Sequence, residues 1–203
     1  MGKIATPVTV LRSGGEYEPR HVQWLSRQVP GLVCLSDVEI KGVPTVRLKH
    51  PWPKWWPKME LWSDLIDGDL LHIDLDTVVL APICEFLTIG RTTTLADFYR
   101  PALMGSGLMY IAQKDKPAIW SAFLENPALH MRMHRGFPLI GDQGFLHGRL
   151  KADRWQNVLP GKVASFKVHC QADVPHGVKV VCFHGQPRPW GIRRDWIPPL
   201  ISC

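Results

Sequence analysis

Apolar runs alternate with amphipathic segments through the first half of the chain. Residues 4–11 are mostly apolar and residues 32–35 are wholly so, and the segment 19–29 between them repeats its apolar side chains at intervals of three and four. A proline in the first turn of that segment and a Pro-Gly pair behind it favour a helix. A strand, a helix and a strand in this order are typical of an α/β domain.

A short acidic motif follows the best-defined strand of the pattern. Residues 58–66 predict a helix that leads into the apolar strand 70–73, and Asp74-Leu75-Asp76 comes directly after it. Open α/β sheets bind ligands beyond the carboxyl ends of their strands, so a site is expected there. The remaining pattern predicts a helix at 117–124, a glycine-flanked segment at 141–150 and strands at 108–112 and 178–183.

The composition suits one globular domain, because 45% of the 203 residues are hydrophobic and 21% are charged. We therefore expect residues 1–203 to form a single domain. Neither an apolar run of about 18 residues nor the pattern of a secretory signal is present, which predicts a cytoplasmic protein without a membrane span. Met1 and Gly2 begin a loose myristoylation pattern, but the apolar run behind them favours a strand.

Charge and cysteine content narrow the possible partners and sites. The net charge of +6 favours an acidic partner, such as a nucleotide-sugar, a nucleic acid or an anionic glycan. No C-x-x-C pair indicates a zinc or redox site. We expect most of the five scattered cysteines to be reduced core residues: Cys34, Cys84, Cys170, Cys182 and Cys203.

Two carboxylates placed two residues apart after an apolar strand allow three interpretations. If the strand geometry continues, Asp74 and Asp76 point to the same side and share a hard cation, Mn²⁺ or Mg²⁺, on the diphosphate of a sugar donor. A phosphatase of the haloacid-dehalogenase type would instead use Asp74 as nucleophile and Asp76 as general acid. That motif usually opens its domain, whereas about 70 residues precede it here. The third interpretation is a solvated turn.

Four motifs occur in a fixed order over most of the chain. They are Trp55-Trp56-Pro57-Lys58-Met59-Glu60-Leu61-Trp62, Asp74-Leu75-Asp76-Thr77-Val78-Val79-Leu80, Gly141-Asp142-Gln143-Gly144-Phe145-Leu146 and His184-Gly185-Gln186-Pro187-Arg188-Pro189-Trp190. Together they resemble motifs of the retaining glycosyltransferases of family eight, the glycogenin-like enzymes, and of short bacterial and phage glycosyltransferase-like proteins. The resemblance implies a GT-A domain, an α/β fold with a mixed central sheet flanked by helices, and sugar transfer with retention.

The resemblance also implies roles for individual residues. The ligands of Mn²⁺ or Mg²⁺ would be Asp74, Asp76 and His184, and the catalytic residues would be Asp142, Gln143 and Lys58. The donor, expected to be a UDP-sugar, would be bound by Leu11, Arg12, Tyr17, Lys58, Asp74, Leu75, Ser106, Gly185 and Arg188. Two positions depart from the family: Gly105 replaces a common Asn, and Arg188 replaces a common Lys and offers phosphate a fork of donors.

A basic and aromatic segment indicates how an acceptor would bind. Residues 47–58 interleave cations with tryptophans, whose rings stack on sugars or unpaired bases while the cations follow phosphate. We expect Trp55, Lys49 and Lys54 to bind the acceptor, unless the segment is a packed loop over the sheet edge. The acceptor would be a hydroxymethylated base in phage DNA or a glycan. A basic binding module without catalysis is the alternative to an enzyme.

Overall fold

A seven-stranded sheet forms the centre of the computed structural model, which describes residues 4–200. The strands in chain order are β1 (Thr6–Leu11), β2 (Val33–Ser36), β3 (Thr45–Arg47), β4 (Leu70–Ile73), β5 (Thr77–Val79), β6 (Thr93–Ala96), β7 (Met104–Ile111), β8 (Asp153–Arg154), β9 (Val163–Ser165) and β10 (Val180–Cys182). The helices are α1 (Pro19–Ser26), α2 (Lys116–Leu124), α3 (Pro127–Met133), α4 (Gly141–Leu146), α5 (Trp155–Val158) and α6 (Phe166–His169). Four 3₁₀ helices lie at Trp56–Trp62, Phe86–Thr88, Gln113–Asp115 and Pro189–Gly191.

The central sheet has the strand order β3-β2-β1-β4-β7-β6-β8 and is mixed. The first four strands are parallel, and β7 runs antiparallel to both of its neighbours. The carboxyl ends of β1 and β4 therefore meet at one edge, beside the loop that leads into β7. A second sheet, in the order β5-β10-β9, begins directly after the acidic motif.

Alternate residues of the central strands enter different hydrophobic clusters, as the twofold repeat of a strand requires. Leu71 and Ile73 of β4 join a cluster with Trp24 of α1 and Trp155 of α5. Neighbouring Leu70 joins a second cluster, which is built by the 3₁₀ helix Trp56–Trp62 together with α2 and α4. The sheet is thus covered on both faces, and the predicted α/β fold with a mixed sheet flanked by helices is confirmed.

The predicted elements differ from the observed ones mainly at their ends. The strand 70–73 coincides with β4, but the strand expected at 4–11 begins at Thr6, and Ile4 is exposed. The helix expected at 58–66 is instead the 3₁₀ helix Trp56–Trp62, and the helix expected at 19–29 ends at Ser26. The sequence pattern predicted only the last part of β7, and it missed β3, β6, β8, β9, α3, α5 and α6.

The cysteines agree with the expectation of reduced core residues where they are described. Cys34, Cys170 and Cys182 are buried free thiols, and Cys84 is an exposed one. Cys203 and the start of the myristoylation pattern lie outside the described residues. Among residues 4–200, no helix is long and apolar enough to cross a membrane. The single domain and the cytoplasmic location remain predictions.

Two glycines fix the position of α4 beneath the neighbouring loop. Gly141 has a φ of 68°, and a Cβ there would come within 3.1 Å of the Trp55 ring. A Cβ on Gly144 would overlap the backbone carbonyl of Leu139 and approach His134 Nδ1 to 2.9 Å. The glycines of this motif therefore permit close packing of α4 against two other segments.

We predict that Gly144→Ala destabilises the protein, although Gly to Ala inside a helix ordinarily stabilises by about 0.5–1 kcal/mol. Overlap with a backbone carbonyl cannot be relieved by a rotamer change, so a loss of about 1–3 kcal/mol is expected. Urea unfolding measures this difference. Gly136→Ala is the control, because no atom lies within 4 Å of a Cβ at that position. An unchanged or raised stability of Gly144→Ala would contradict the packing described.

Candidate active site

The ammonium group of Lys58 lies between two carboxylates at the edge of the central sheet. Its Nζ is 3.4 Å from Asp74 Oδ1 and 3.3 Å from Asp142 Oδ2, and it donates to Ser106 Oγ at 3.0 Å. These four residues come from the 3₁₀ helix Trp56–Trp62, the end of β4, the start of α4 and β7. The fold thus brings together four of the residues that the sequence predicted for the site.

Lys58 keeps its proton in spite of its burial. Burial alone would lower the pKa of Lys58, but the charges of Asp142 and Asp74 outweigh it and hold the pKa above its ordinary value. Asp142 is almost completely buried, and the contact of its Oδ2 with Lys58 is an ion pair rather than a well-aligned hydrogen bond. The cation and the two carboxylates therefore depend on one another for charge compensation.

Two residues that the sequence did not single out shape the surroundings of Asp74. His72 Nε2 lies 3.4 Å from Asp74 Oδ1, and burial lowers the pKa of His72 to about 3, so the ring is neutral there. Gly107 accepts a hydrogen bond from the amide of Asp74 at 2.9 Å. A Cβ on Gly107 would lie 3.2 Å from Asp74 Oδ2, so a glycine leaves the carboxylate its space. A histidine within an apolar strand was the available signal for His72.

The second carboxylate of the motif is bound by residues from both ends of the chain. Tyr17 donates to Asp76 Oδ2 at 3.1 Å, and Arg188 Nη1 donates to the same oxygen. Arg188 also donates from Nε and Nη2 to Glu16, at 2.8 and 2.6 Å. Asp76 is 5% exposed. Tyr17 and Arg188, both predicted to bind the donor, thus meet at Asp76, and Glu16 is a further member of this cluster.

The acidic motif is a turn and not the continuation of the strand. β4 ends at Ile73, and Thr77 donates its amide to the carbonyl of Asp74 at 3.1 Å. The strand alternation expected to align the two carboxylates is therefore absent. Burial and the nearby charge of Asp74 nevertheless raise the pKa of Asp76, against the effect of Arg188. The two carboxylates interact, and their shared negative charge suits a cation.

The histidine predicted as third metal ligand lies in other contacts. His184 Nε2 is 2.7 Å from Ser165 Oγ, and its ring stacks on Phe98 with centroids 5.8 Å apart. Within residues 4–200, no three His, Cys, Asp or Glu side chains are grouped so that they could hold a metal. The carboxylates of Asp74 and Asp76 fit the protein's part of a hard-cation site, and phosphate oxygens would have to supply further ligands.

The other residues predicted to bind the donor are distributed around this cluster. Arg12 lies 3.7 Å from Asp37, while Leu11 and Leu75 are buried in the core. Gly185 has a φ of 72° in the loop after β10. Gln143, which was predicted to be catalytic, is half-buried on α4 beside Asp142. The charged side chains of the site thus form two neighbouring clusters. One surrounds Lys58 and the other surrounds Arg188.

The segment 47–58 is partly a packed loop and partly an exposed surface. Trp52 and Trp56 are buried, and Glu60 accepts hydrogen bonds from the amides of Lys49 and His50 at 2.7 and 2.9 Å. Trp55, by contrast, is 44% exposed. The side chains of Lys49 and Lys54 are also exposed. The packed loop thus accounts for Trp52 and Trp56, and acceptor binding by Trp55, Lys49 and Lys54 stays a prediction.

Three exposed aromatic rings, called here the aromatic rim, lie on loops around the carboxylates: Trp55, Tyr99 and Phe137. They are the exposed Phe, Tyr and Trp side chains of residues 4–200. Trp55 packs beside Gly141, which directly precedes Asp142. Tyr99 belongs to the β6–β7 loop, and Arg100 of the same loop lies 4.4 Å from the centroid of Phe137. The rim combines ring faces with cations.

Solved structures of glycosyltransferases share this fold. The glycosyltransferase GlyE of Streptococcus pneumoniae TIGR4 is 13% identical with a TM-score of 0.64, over 94% of this chain and 56% of that chain. Its apo form is 12% identical with a TM-score of 0.59, over 93% and 56%. The bifunctional glycosyltransferase WbbM is 11% identical with a TM-score of 0.52, over 92% and 47%. No protein-family model and no curated protein matches this chain.

At such low identities the similarity shows the fold, and this chain spans about half the length of the proteins it matches. The expected α/β fold of glycosyltransferases is therefore established. The strand that bears the acidic motif is the fourth of the chain, which does not fit a phosphatase whose motif opens its domain.

We predict that Lys58→Met lowers the free energy of unfolding by about 3–5 kcal/mol, because it leaves the buried Asp142 without its counter-charge. Adding Asp142→Asn should restore part of this loss, since the uncompensated charge is then removed. Urea unfolding of both single variants and of the double variant measures the coupling. Lys41→Met, on an exposed loop, is the control. Strictly additive losses would contradict a shared ion pair.

Proposed function

We propose that this protein transfers a sugar from a nucleoside-diphosphate sugar to an acceptor. The observation that carries the proposal is the buried Lys58, which joins Asp74 and Asp142 at the ligand-binding edge of a glycosyltransferase fold. A buried cation beside an acidic turn is suited to a reaction in which negative charge develops on a leaving diphosphate.

The donor would bind between the two groups of the site, with a UDP-sugar as the first candidate. Asp74 and Asp76 would hold Mn²⁺ or Mg²⁺, which neutralises phosphate charge when it is bound. Arg188 would contact the phosphates with its planar fork of donors. Tyr17, at the entrance loop after β1, would lie against the nucleotide. Because Ser165 contacts only Nε2 of His184, Nδ1 would be the nitrogen that acts as a third ligand, and the ring would have to approach the two carboxylates.

The reaction would take place near Lys58 and the first turn of α4. Asp142 and Gln143 are adjacent there, and the ion pair with Lys58 orients the Asp142 carboxylate. Lys58, which is protonated, would stabilise charge on the leaving diphosphate through a fixed N–H donor. Retention of configuration is part of this proposal through the resemblance to family eight.

The acceptor would be a polyanion bound across the aromatic rim. The rim lies in segments 47–58, 97–103 and 127–141, in which Arg and Lys outnumber the one acidic residue, Asp97, whose Oδ1 accepts hydrogen bonds from the amides of Tyr99 and Arg100. Rings beside cations suit an acceptor with stackable faces and negative charge. DNA with a hydroxymethylated base is the acceptor that the experiment below tests, and an acidic glycan is the alternative acceptor.

We predict that Asp76→Asn abolishes metal-dependent binding of the nucleotide, because it removes a full ligand charge from the diphosphate site. Isothermal titration of UDP and of UDP-sugars with Mn²⁺ measures the effect. Asp195→Asn, at an exposed position near the described end, is the matched control. Undiminished metal-dependent binding by Asp76→Asn would refute the assignment. A covalent phosphate or fluoroberyllate adduct on Asp74 would support the phosphatase instead.

We predict that Lys49→Glu with Lys54→Glu, and separately Phe137→Ala, impair transfer to DNA far more than donor hydrolysis. The charge reversals repel phosphate, and the truncation removes a stacking face that contributes about 1–3 kcal/mol per base. For wild-type protein, affinity for DNA should fall roughly 10- to 1,000-fold between 50 and 200 mM salt. Acceptor titrations and donor-hydrolysis assays separate the two effects.

Lys114→Glu is the control for these charge reversals. Lys114 is exposed in the 3₁₀ helix that follows β7, at the opposite end of the sheet from the rim. Equal losses of donor hydrolysis and transfer in the lysine variants would assign the segment to the donor site or to folding. Transfer to an acidic glycan but not to DNA would replace DNA as the acceptor.

A further inference from the structure

The carboxylate of Glu16 occupies one edge of the Arg188 guanidinium, the edge formed by Nε and Nη2. Arg188 donates to Glu16 from Nε and Nη2, and Gln186 of the same terminal block donates to Glu16 at 3.1 Å. The third nitrogen of the guanidinium, Nη1, donates to Asp76. Arg188 is therefore bound on two sides by carboxylates.

A diphosphate and Glu16 would use the same pair of N–H donors of Arg188, those on Nε and Nη2. A guanidinium binds carboxylates and phosphates alike through two parallel N–H donors, and Nε with Nη2 forms such a pair toward Glu16. Both donors cannot serve a phosphate while Glu16 retains them. Binding of a phosphate by this edge of Arg188 requires that the carboxylate be released.

Charge also disfavours an incoming diphosphate while Glu16 is in place. One guanidinium faces the carboxylates of Glu16 and Asp76, and Asp74 adds a further negative charge close to Asp76. Even with Lys58 beside Asp74, the carboxylates outnumber the cations, so the surroundings of Arg188 are negative before any donor arrives. The side chain of Glu16 is 45% exposed, whereas that of Arg188 is 15% exposed. Water can therefore solvate the Glu16 carboxylate when it leaves Arg188.

We propose that Glu16 is a positioning residue that keeps Arg188 on Asp76 in the donor-free protein and competes with the diphosphate of the donor for the guanidinium. This inference rests on the proposed function, because the diphosphate that competes with Glu16 for Arg188 is that of the proposed sugar donor. Glu16 thereby sets how tightly the donor binds.

The test is the affinity of wild-type protein and Glu16→Gln for inorganic pyrophosphate and for UDP, with Mn²⁺, by isothermal titration. Competition predicts that Glu16→Gln binds both probes more tightly, by roughly two- to tenfold, the range expected for a partly exposed ion pair with two hydrogen bonds. Glu16→Asp, which keeps the charge, should remain closer to wild type. Glu39→Gln, an exposed carboxylate in the β2–β3 loop, should bind like wild type.

A second measurement separates competition from a structural role. In an Arg188→Gln background, Glu16→Gln should no longer change the affinity for pyrophosphate, because the contested donor is absent. Weaker or equal binding by Glu16→Gln in the wild-type background would overturn the inference, since Glu16 would then only orient Arg188. If neither the wild-type protein nor any variant binds pyrophosphate or UDP, the proposed function and this inference are both refuted.

Discussion

The buried charge of Lys58 is the constraint on which the rest of the site depends. A cation can remain away from water only if opposite charges and hydrogen-bond acceptors surround it, and here they come from three other elements. The end of β4, the first half of β7 and the start of α4 must therefore converge on one point. Stability and site geometry are linked at this position, because the same contacts serve both.

The acidic turn is balanced by two cations that reach it from opposite directions. Lys58 lies against Asp74, and Arg188 lies against Asp76 from a block more than 100 residues further along the chain. Trp190 of that block packs against His21 and Trp24 of α1. Aromatic packing thus holds the terminal block beside the loop after β1, and each end of the chain completes the surroundings of the other.

The sequence predicted the fold class and most members of the site. Short motifs and their order along the chain can be recognised without knowledge of tertiary contacts. Asp74, Asp142, Lys58 and Ser106 could be found in this way. Glu16 could not, because an exposed loop glutamate has no local signature and acquires its role only through Arg188. The short strands β6 and β8 were missed since tertiary pairing, and not a long apolar run, holds them in the sheet.

The register between β5 and β10 ties the spacing of the terminal block to the acidic turn. Cys182 pairs with Thr77, and the amide of Phe183 donates to the carbonyl of Asp76 at 3.2 Å. From Phe183 to Arg188 the chain is a short irregular loop in which Gly185 adopts a φ of 72°. Loss of a single residue between Phe183 and Arg188 would therefore carry the guanidinium away from its carboxylate, whereas the exposed segment 171–177 lies before this register and has room to vary in length.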